Sequence, residues 1–390
     1  SVSLALIEQL ILMTLAEQLK NIIKGEVDDS EQSRYKYSHD ASLFEVTPEI
    51  IVFPKDEVDI QNLVKFVNQN KKNNPNLSLT ARSAGTCMSG GSLSESIVMD
   101  FTRHMNRIIN ISEDQGVVQP GCYYRDFEKA TLEHNRIMPA YTASKEICAV
   151  GGMVANNSGG EKTIKWGKVE NYIEKIRIVF NDGNTYEISK LTLSELNNKC
   201  LQNNFEGNLY SQLRQLIEDN YEVITSAKPD VSKNSAGYLL WNVYDKKNQT
   251  FDLCRLVAGS QGTLGIITEI TFRLVPLEKY SNLLAVFMPN IEKLGEIVAE
   301  ISPFKPDSLE SYDDYSMKLA VKFFFDFFKQ LGFFGAIKLG LKFLPEAGMI
   351  ISGGVPKLIL LVEFAGESEE VVKQRLEEVE AKIKHFGFKT

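Results

Sequence analysis

Cysteine and histidine are scarce in this 390-residue chain, and the few present fall into no ligand pattern. Cys87, Cys122, Cys148, Cys200 and Cys254 stand 26 to 54 residues apart with no C-x-x-C pair, which excludes an iron–sulfur cluster or zinc site encoded by spacing. They read as reduced core thiols of a cytoplasmic protein. His39, His104, His134 and His385 share no metal-ligand spacing, so each reads as an ordinary surface or half-buried residue rather than a catalytic one. Excess positive charge is also missing. A net charge of −8 and a pI near 5.3 exclude a wide nucleic-acid footprint, which needs a basic face. Long apolar runs are lacking as well. Glu8 and Gln9 interrupt the one at the N-terminus, and Lys318, Lys322, Asp326, Lys329, Lys338 and Lys342 break up the phenylalanine-rich stretch 315–344, excluding a transmembrane helix there. What is present, 43% apolar and 24% charged residues, is enough to bury a full core in two or more domains.

Near the start, Thr14 and Glu17 form a capping box ahead of Leu15, Leu19, Ile22 and Ile23, which predicts a helix from Thr14 and suggests Met13 as the natural start. From Glu49 the chain alternates. Ile50–Phe53 reads as a strand, Asp56 caps a helix with Ile60, Leu63, Val64 and Val67 on one face, and Leu77–Arg82 reads as a second strand. In this βαβ unit the stretch after Arg82 lies at the carboxyl end of a strand, where ligands sit in open α/β sheets. That stretch, Arg82-Ser83-Ala84-Gly85-Thr86-Cys87-Met88-Ser89-Gly90-Gly91-Ser92, offers consecutive backbone N–H groups beside one arginine, an arrangement suited to a diphosphate.

Two further glycine clusters follow. Val150–Gly160 holds four glycines and two asparagines, a composition that predicts neither helix nor strand but close backbone approach to a flat or charged ligand. Ala258–Ile267 follows a strand and leads into the alternating run Thr268–Val275. Between them, Ile173–Phe180, Asn181-Asp182-Gly183-Asn184 and Thr185–Ile188 predict a hairpin. None of the three clusters fits G-x-G-x-x-G, and Glu161 separates Gly160 from Lys162, so neither a Rossmann dinucleotide site nor a P-loop is encoded. Any one cluster reads as a tight turn. Three at strand ends in one domain point to an extended ligand such as a dinucleotide.

Together these motifs, Arg82-Ser83-Ala84-Gly85-Thr86 with Ser89-Gly90-Gly91, Gly151-Gly152-Met153 with Asn156 to Gly160, and Gly262-Thr263-Leu264-Gly265-Ile266-Ile267, resemble the FAD-binding domain of the vanillyl-alcohol oxidase and p-cresol methylhydroxylase superfamily. The branch most resembled is that of the D-lactate, glycolate and D-2-hydroxyglutarate dehydrogenases. The resemblance covers roughly Pro48 to Leu277. It implies an α+β fold in which a PCMH-type FAD-binding domain of two α+β subdomains (48–277) follows an N-terminal helical segment (1–47). It further implies that Arg82, Ser83, Ala84, Gly85, Thr86, Cys87, Met88 and Ser89 surround the FAD diphosphate, that Ser144, Gly151, Gly152, Asn156 and Gly159 lie along the ribityl chain and flavin, and that Gly262, Thr263, Gly265 and Ile267 close over the cofactor. Some members attach the flavin through a histidine in the first loop. Thr86 and Cys87 stand there instead, so non-covalent FAD is expected. Asn234-Ser235-Ala236-Gly237-Tyr238 also resembles a feature of that branch.

After Leu277 the order β-α-β, insertion, β-α predicts an incomplete ferredoxin-like substrate or cap domain (278–390), with a helical insertion that suits peripheral contact with the inner face of a membrane through 315–344. The H-x-x-D-G-N-x-H segment that carries base and divalent-metal ligands in the resembled dehydrogenases is absent from this sequence, which is read as truncated, with a divalent metal and the catalytic residues only in the missing C-terminal part. The implied activity is oxidation of a small D-2-hydroxy acid by hydride transfer to flavin N5. Electrons would pass to a quinone, an electron-transfer flavoprotein or an iron–sulfur protein. The alternatives are a non-catalytic FAD-binding subunit of a larger redox complex, or an oxidase or aldonolactone-type activity of the same superfamily.

Overall fold

Ile50–Phe53 and Ile97–Asp100 are almost wholly apolar without alternation, as suits strands covered on both faces. In the computed structural model, which describes residues 13–231, 233–323 and 356–390, all eight residues are buried. They form β2 (Ile50–Phe53) and β4 (Ile97–Asp100), the centre of a four-stranded sheet completed by β1 (Glu26–Asp28) and β3 (Leu79–Arg82) in the order β1-β2-β4-β3. β4 runs parallel to both β2 and β3, whereas β1 is antiparallel to β2. Three helices accompany the sheet. α1 (Leu15–Lys20) opens on the Thr14–Glu17 capping box, α2 (Glu31–Tyr37) is capped by Ser30, and α3 (Glu57–Asn70) is capped by Asp56. α3 buries Ile60, Leu63 and Val64 in one cluster with Ile50, Val52 and Ile97, at roughly 2 kcal/mol of hydrophobic stabilisation per fully buried side chain. The residues before Pro48 are built into this layer. Wholly buried Asp59 accepts hydrogen bonds from the backbone N–H groups of Lys24, Gly25 and Lys55 at 2.8, 2.9 and 2.8 Å, fastening the N-terminal segment to the start of α3.

A second, seven-stranded antiparallel sheet contains β5 (Ile108–Ile111), β6 (Gln115–Val118), β7 (Ile173–Val179), β8 (Thr185–Thr192), β9 (Tyr244–Asp245), β10 (Thr250–Asp252) and β11 (Ile266–Arg273), ordered β9-β10-β8-β7-β11-β6-β5. The Asp182-Gly183 turn closes the β7–β8 hairpin, with Gly183 at φ +74°. Val179 and Ile266 from this sheet complete the core of the first one, so the two α+β layers share one apolar interior. Helix α4 (Tyr124–Leu132) follows β6. The expectation that Val150–Gly160 contains no helix is corrected: Val150–Ala155 is a short helix, α5. Burial of Val150, Met153 and Val154 outweighs the helix penalty of Gly151 and Gly152, about 1 kcal/mol each.

The chain divides into two compact units, residues 1–160 with 167–277, and residues 161–166 with 278–390. The second unit contains a three-stranded antiparallel sheet, β12 (Tyr280–Met288), β13 (Ser308–Asp313) and β14 (Leu358–Gly366), in the order β12-β14-β13. Helices α6 (Leu294–Ile301) and α7 (Glu369–Ile383) cover one face, where Ile297, Ile301, Val372, Val379 and Ile383 meet Val286, Leu360, Val362 and Phe364. After α7 the chain returns beside β12, where Phe287 N–H donates to the carbonyl of Lys389. Residues 161–166, interposed from far upstream, are anchored in this unit. Lys165 pairs with Glu278 and with Asp307, and Lys162 pairs with Glu363 at 3.2 Å. Asp307 is 1% exposed at its side chain and also accepts from the Ala365 N–H at 3.0 Å.

The expected insertion begins as the helix Asp314–Lys322, and residues 324–344 lie outside the described residues, as do residues 1–12. At its start Asp314 accepts from the Lys318 and Lys357 ammonium groups at 2.7 and 2.8 Å, which pull its carboxyl down from 3.8 to about 2. Since the folded value lies below the unfolded one, this pairing stabilises fully above about pH 4 and is lost as the pH falls through 2. Asp314→Asn is therefore expected to lower the urea midpoint at neutral pH and by much less at pH 2; an equal loss at both would exclude the ion pair as its source. No described helix is long and apolar enough to cross a membrane.

Candidate functional site

β3 and β4 end side by side, at Arg82 and Asp100, so the segments that leave them start from one edge of the parallel sheet. The first, Ser83–Ser92, is one wall of an open cleft. α5 contributes a second wall through Gly151 and Gly152, with Asn156 just beyond it, and the approach to β11 contributes a third through Ser260, Gln261, Gly262, Gly265 and Ile267. Contacts across the walls hold them together. Ser83 Oγ donates to the Pro120 carbonyl at 3.1 Å, which also accepts from the Gly151 N–H at 2.9 Å. Cys87 Sγ lies 3.0 Å from Ser89 Oγ and 3.9 Å from Asn156 Oδ1, and Gln261 Nε2 reaches Ser89 Oγ at 3.5 Å.

Eleven residues singled out from the motifs line this cleft, namely Ser83, Ala84, Gly85, Thr86, Cys87, Gly151, Gly152, Asn156, Gly262, Gly265 and Ile267. Six others do not. Met88 is 83% exposed. Ser89 stands behind Cys87, Ser144 belongs to a turn bonded to Thr142 at 2.9 Å, and Gly159 lies past the end of α5. Thr263 turns to Tyr238, whose hydroxyl is 2.6 Å from Thr263 Oγ1, so neither member of that pair faces the cleft. Arg82 is the sixth: its side chain folds back onto the upstream chain, with Nη2 donating to the His39 carbonyl at 2.7 Å and Nη1 to that of Tyr37 at 3.3 Å. The floor residues Phe101, Pro120 and Ala149 carry no motif. Only the Pro120-Gly121 pair after β6 hints at them, since a Cβ on Gly121 would stand 2.0 Å from the Phe101 carbonyl oxygen.

None of the described lining residues carries a charge. Where a Cβ would stand on Gly152 or Gly262, the nearest atom is 3.8 Å away, on Ser83 and Ala81 respectively. A side chain at either position would enter the open space, so the two glycines present bare backbone to whatever fills it. Such walls, rich in peptide N–H groups and hydroxyls, fit a flat, extended dinucleotide such as FAD. The expectation that all five cysteines are core thiols is corrected: Cys122, Cys148 and Cys254 are buried, whereas Cys87 and Cys200 are only half-buried, and Cys87 differs from the buried ones in its ionisation. Partial burial opposes its ionisation, but the Ser89 hydroxyl and the backbone N–H groups of Ser89 and Gly91 draw its pKa below the usual 9.0, whereas burial pushes Cys122 up to about 12 and also raises Cys148. The described residues contain no group of three or more His, Cys, Asp or Glu side chains placed to hold a metal ion.

Residues 48–189 match the family model described as FAD binding domain. Among curated proteins, the chain is 23% identical over 377 residues to D-2-hydroxyglutarate dehydrogenase of Escherichia coli (strain K12), covering 96% of this chain and 35% of that protein. It is 24% identical over 384 residues to D-lactate dehydrogenase of Anaerostipes hadrus, covering 96% of this chain and 64% of that protein. The chain thus spans about a third of the length of the first of these relatives. Among solved structures, alkyldihydroxyacetonephosphate synthase superposes with a TM-score of 0.63 at 16% identity, over 97% of this chain and 59% of that one. The resemblance carried by the three loops is borne out, and the fold is of the PCMH type, α+β.

Proposed function

We propose that this chain is the flavin-binding part of a dehydrogenase that oxidises a small D-2-hydroxy acid, of the D-lactate or glycolate type, to the 2-oxo acid. A quinone, an electron-transfer flavoprotein or an iron–sulfur protein would take the electrons. The observation that carries this reading is the uncharged cleft whose three glycine-bearing walls converge, two of them within the residues that match the FAD binding domain. FAD bound there supplies the acceptor for the hydride. The chain's own part is to bind and shield. Backbone N–H groups of Ser83–Cys87 would hold the diphosphate, Gly151, Gly152 and Asn156 would lie against the ribityl chain and rings, and Gly262, Gly265 and Ile267 would close the third side, with Phe101 and Pro120 keeping water from the floor. Thr86 and Cys87 stand where a covalently attaching histidine would, which supports a dissociable cofactor. The five unpaired cysteines fit a reducing, cytoplasmic compartment.

The full-length natural protein should release all of its yellow chromophore on acid precipitation, and its flavin should bleach anaerobically with D-lactate, glycolate or D-2-hydroxyglutarate. Flavin retained on denatured protein would defeat non-covalent binding. Flavin that binds but is bleached by none of the acids would favour the non-catalytic subunit. Tyr315, Leu319 and Phe323 are exposed and spaced four apart on one helical side, alongside Lys318 and Lys322, which supports peripheral membrane contact through 315–344. Co-sedimentation with anionic vesicles is expected; absence of binding would remove that contact.

A further inference from the structure

Arg82 is the only charged residue between Ala81 and Ser92; the residue is 9% exposed and is not among those that line the cleft. Its partners are main-chain carbonyls from the end of α2 and just after it: His39 O at 2.7 Å and Tyr37 O at 3.3 Å, with the Tyr37 ring 5.2 Å from its central carbon. The Tyr37 hydroxyl in turn donates to Asp100 at 2.7 Å, at the end of β4. On its other side the guanidinium packs against the first loop itself. A Cβ added to Gly85, which holds φ +67°, would lie 2.5 Å from Nη2, so this turn is moulded onto the arginine and admits no side chain.

The same upstream segment touches the loop again further along. Ala41 N–H donates to the Gly85 carbonyl at 3.0 Å, Ser92 Oγ donates to Asp40 at 3.0 Å, and the Phe44 ring is the nearest neighbour of the position where a Gly90 Cβ would stand. Residues 37–44 therefore meet the loop at its start, middle and end. They lie outside the 48–189 match to the FAD binding domain.

We infer that Arg82 is a positioning residue: it clamps residues 37–44 onto the first loop and so sets the loop's binding shape, rather than lending its charge to the ligand. This rests on the FAD reading for what the loop binds, but not for what the arginine does. A planar guanidinium spans two carbonyls with separate donors, which a single ammonium does not reproduce, so lysine is a poor substitute here. Because no charged group lines the cleft, the salt dependence of FAD binding should be the same with or without the arginine.

The test compares the 390-residue chain with its Arg82→Gln and Arg82→Lys variants. Amide hydrogen exchange is measured without FAD, and FAD affinity is then titrated between about 50 and 200 mM salt. Expected are exchange faster by about tenfold in both 38–46 and 83–92, with β7 amides unchanged as the internal reference, FAD affinity weakened by about tenfold or more, a wild-type salt slope, and no rescue by lysine. Unchanged exchange in the free protein, a flattened salt slope, or rescue by lysine would overturn the inference. Should Arg82→Gln unfold the chain, so that β7 exchanges as well, Arg82→Lys takes its place, since it keeps the charge but not the two-carbonyl fork. Faster exchange in both segments then supports the clamp, and unchanged exchange overturns it. If the wild-type chain binds no FAD, the proposed function fails, while the exchange comparison still decides the role of Arg82.

Discussion

Gly151→Ala is expected to cost roughly 1–3 kcal/mol of stability and to reduce flavin occupancy by more than about tenfold. The added methyl group would stand 2.6 Å from Pro120 Cβ, 2.7 Å from the Pro120 carbonyl oxygen and 2.9 Å from Ser83 Oγ. Two of those atoms belong to a proline whose carbonyl already binds the Gly151 N–H and the Ser83 hydroxyl, so no flexible side chain can yield. Relief requires α5 to move away from the first loop, which opens the cleft at its floor. Two other glycines give the comparison. A methyl group on Gly152 meets nothing nearer than 3.8 Å, so Gly152→Ala should raise thermal stability modestly, by removing a helical glycine, even though it intrudes on the ligand space. Gly295, inside α6, has nothing within 4 Å, and Gly295→Ala should stabilise by about 0.4–1 kcal/mol through reduced freedom of the unfolded chain, with flavin content untouched. Flavin-to-protein ratio and melting temperature measured on the three variants separate these outcomes. A Gly151→Ala protein that melts and loads like wild type would show that the contact between α5 and Pro120 does not shape the site.

Asp307→Ala is expected to destabilise the second unit by about 3 kcal/mol, the low end for breaking a buried ion pair because Lys165 reaches solvent at 27% of its side-chain surface. The Ala365 N–H loses its acceptor and the Lys165 ammonium keeps only Glu278, so the short run of chain that Lys165 anchors is held less firmly. The paired replacement Asp307→Leu with Lys165→Met removes the buried charges together and should recover part of the loss, the remainder reflecting Glu278 left without Lys165 and the Ala365 N–H left without an acceptor. Urea unfolding of the single and double variants measures this coupling. A single variant within about 0.5 kcal/mol of wild type would mean that the pair is not formed in solution.

Much of the scaffold was legible because it follows from local pattern. The unbroken apolar run Ile50–Phe53, the Asp56 cap, the Thr14–Glu17 capping box and the Asp182-Gly183 turn each state their structure within a few residues, and each appears where the pattern puts it. The cleft was legible as three glycine-bearing stretches, although only the first directly follows a strand; the second is α5 itself and the third follows the short helix Cys254–Val257. What the pattern could not reveal depends on partners distant in sequence. Arg82 looks like a free cation until the carbonyls of Tyr37 and His39, 45 and 43 residues upstream, are known to bind it. Val150–Ala155 looks too rich in glycine to be helical until its apolar residues are seen to be buried. Phe101, Pro120 and Ala149 belong to no motif, because a floor needs only shape.

The placement of residues 161–166 also bears on how the polypeptide can be made and divided. The backbone passes between the two units three times, after Gly160, after Trp166 and after Leu277. A single cut at Leu277 therefore separates neither unit from the other. A fragment beginning at Glu278 would carry Asp307 and Glu363 without the lysines that neutralise them, and a fragment ending at Leu277 would carry those lysines without their carboxylates. During synthesis, Lys162 and Lys165 leave the ribosome well over a hundred residues before Asp307 and Glu363 exist, so the earlier unit can close around its own sheets while this short stretch waits. The second unit's core needs β14 and then α7, which makes its folding a late event tied to an early piece of sequence.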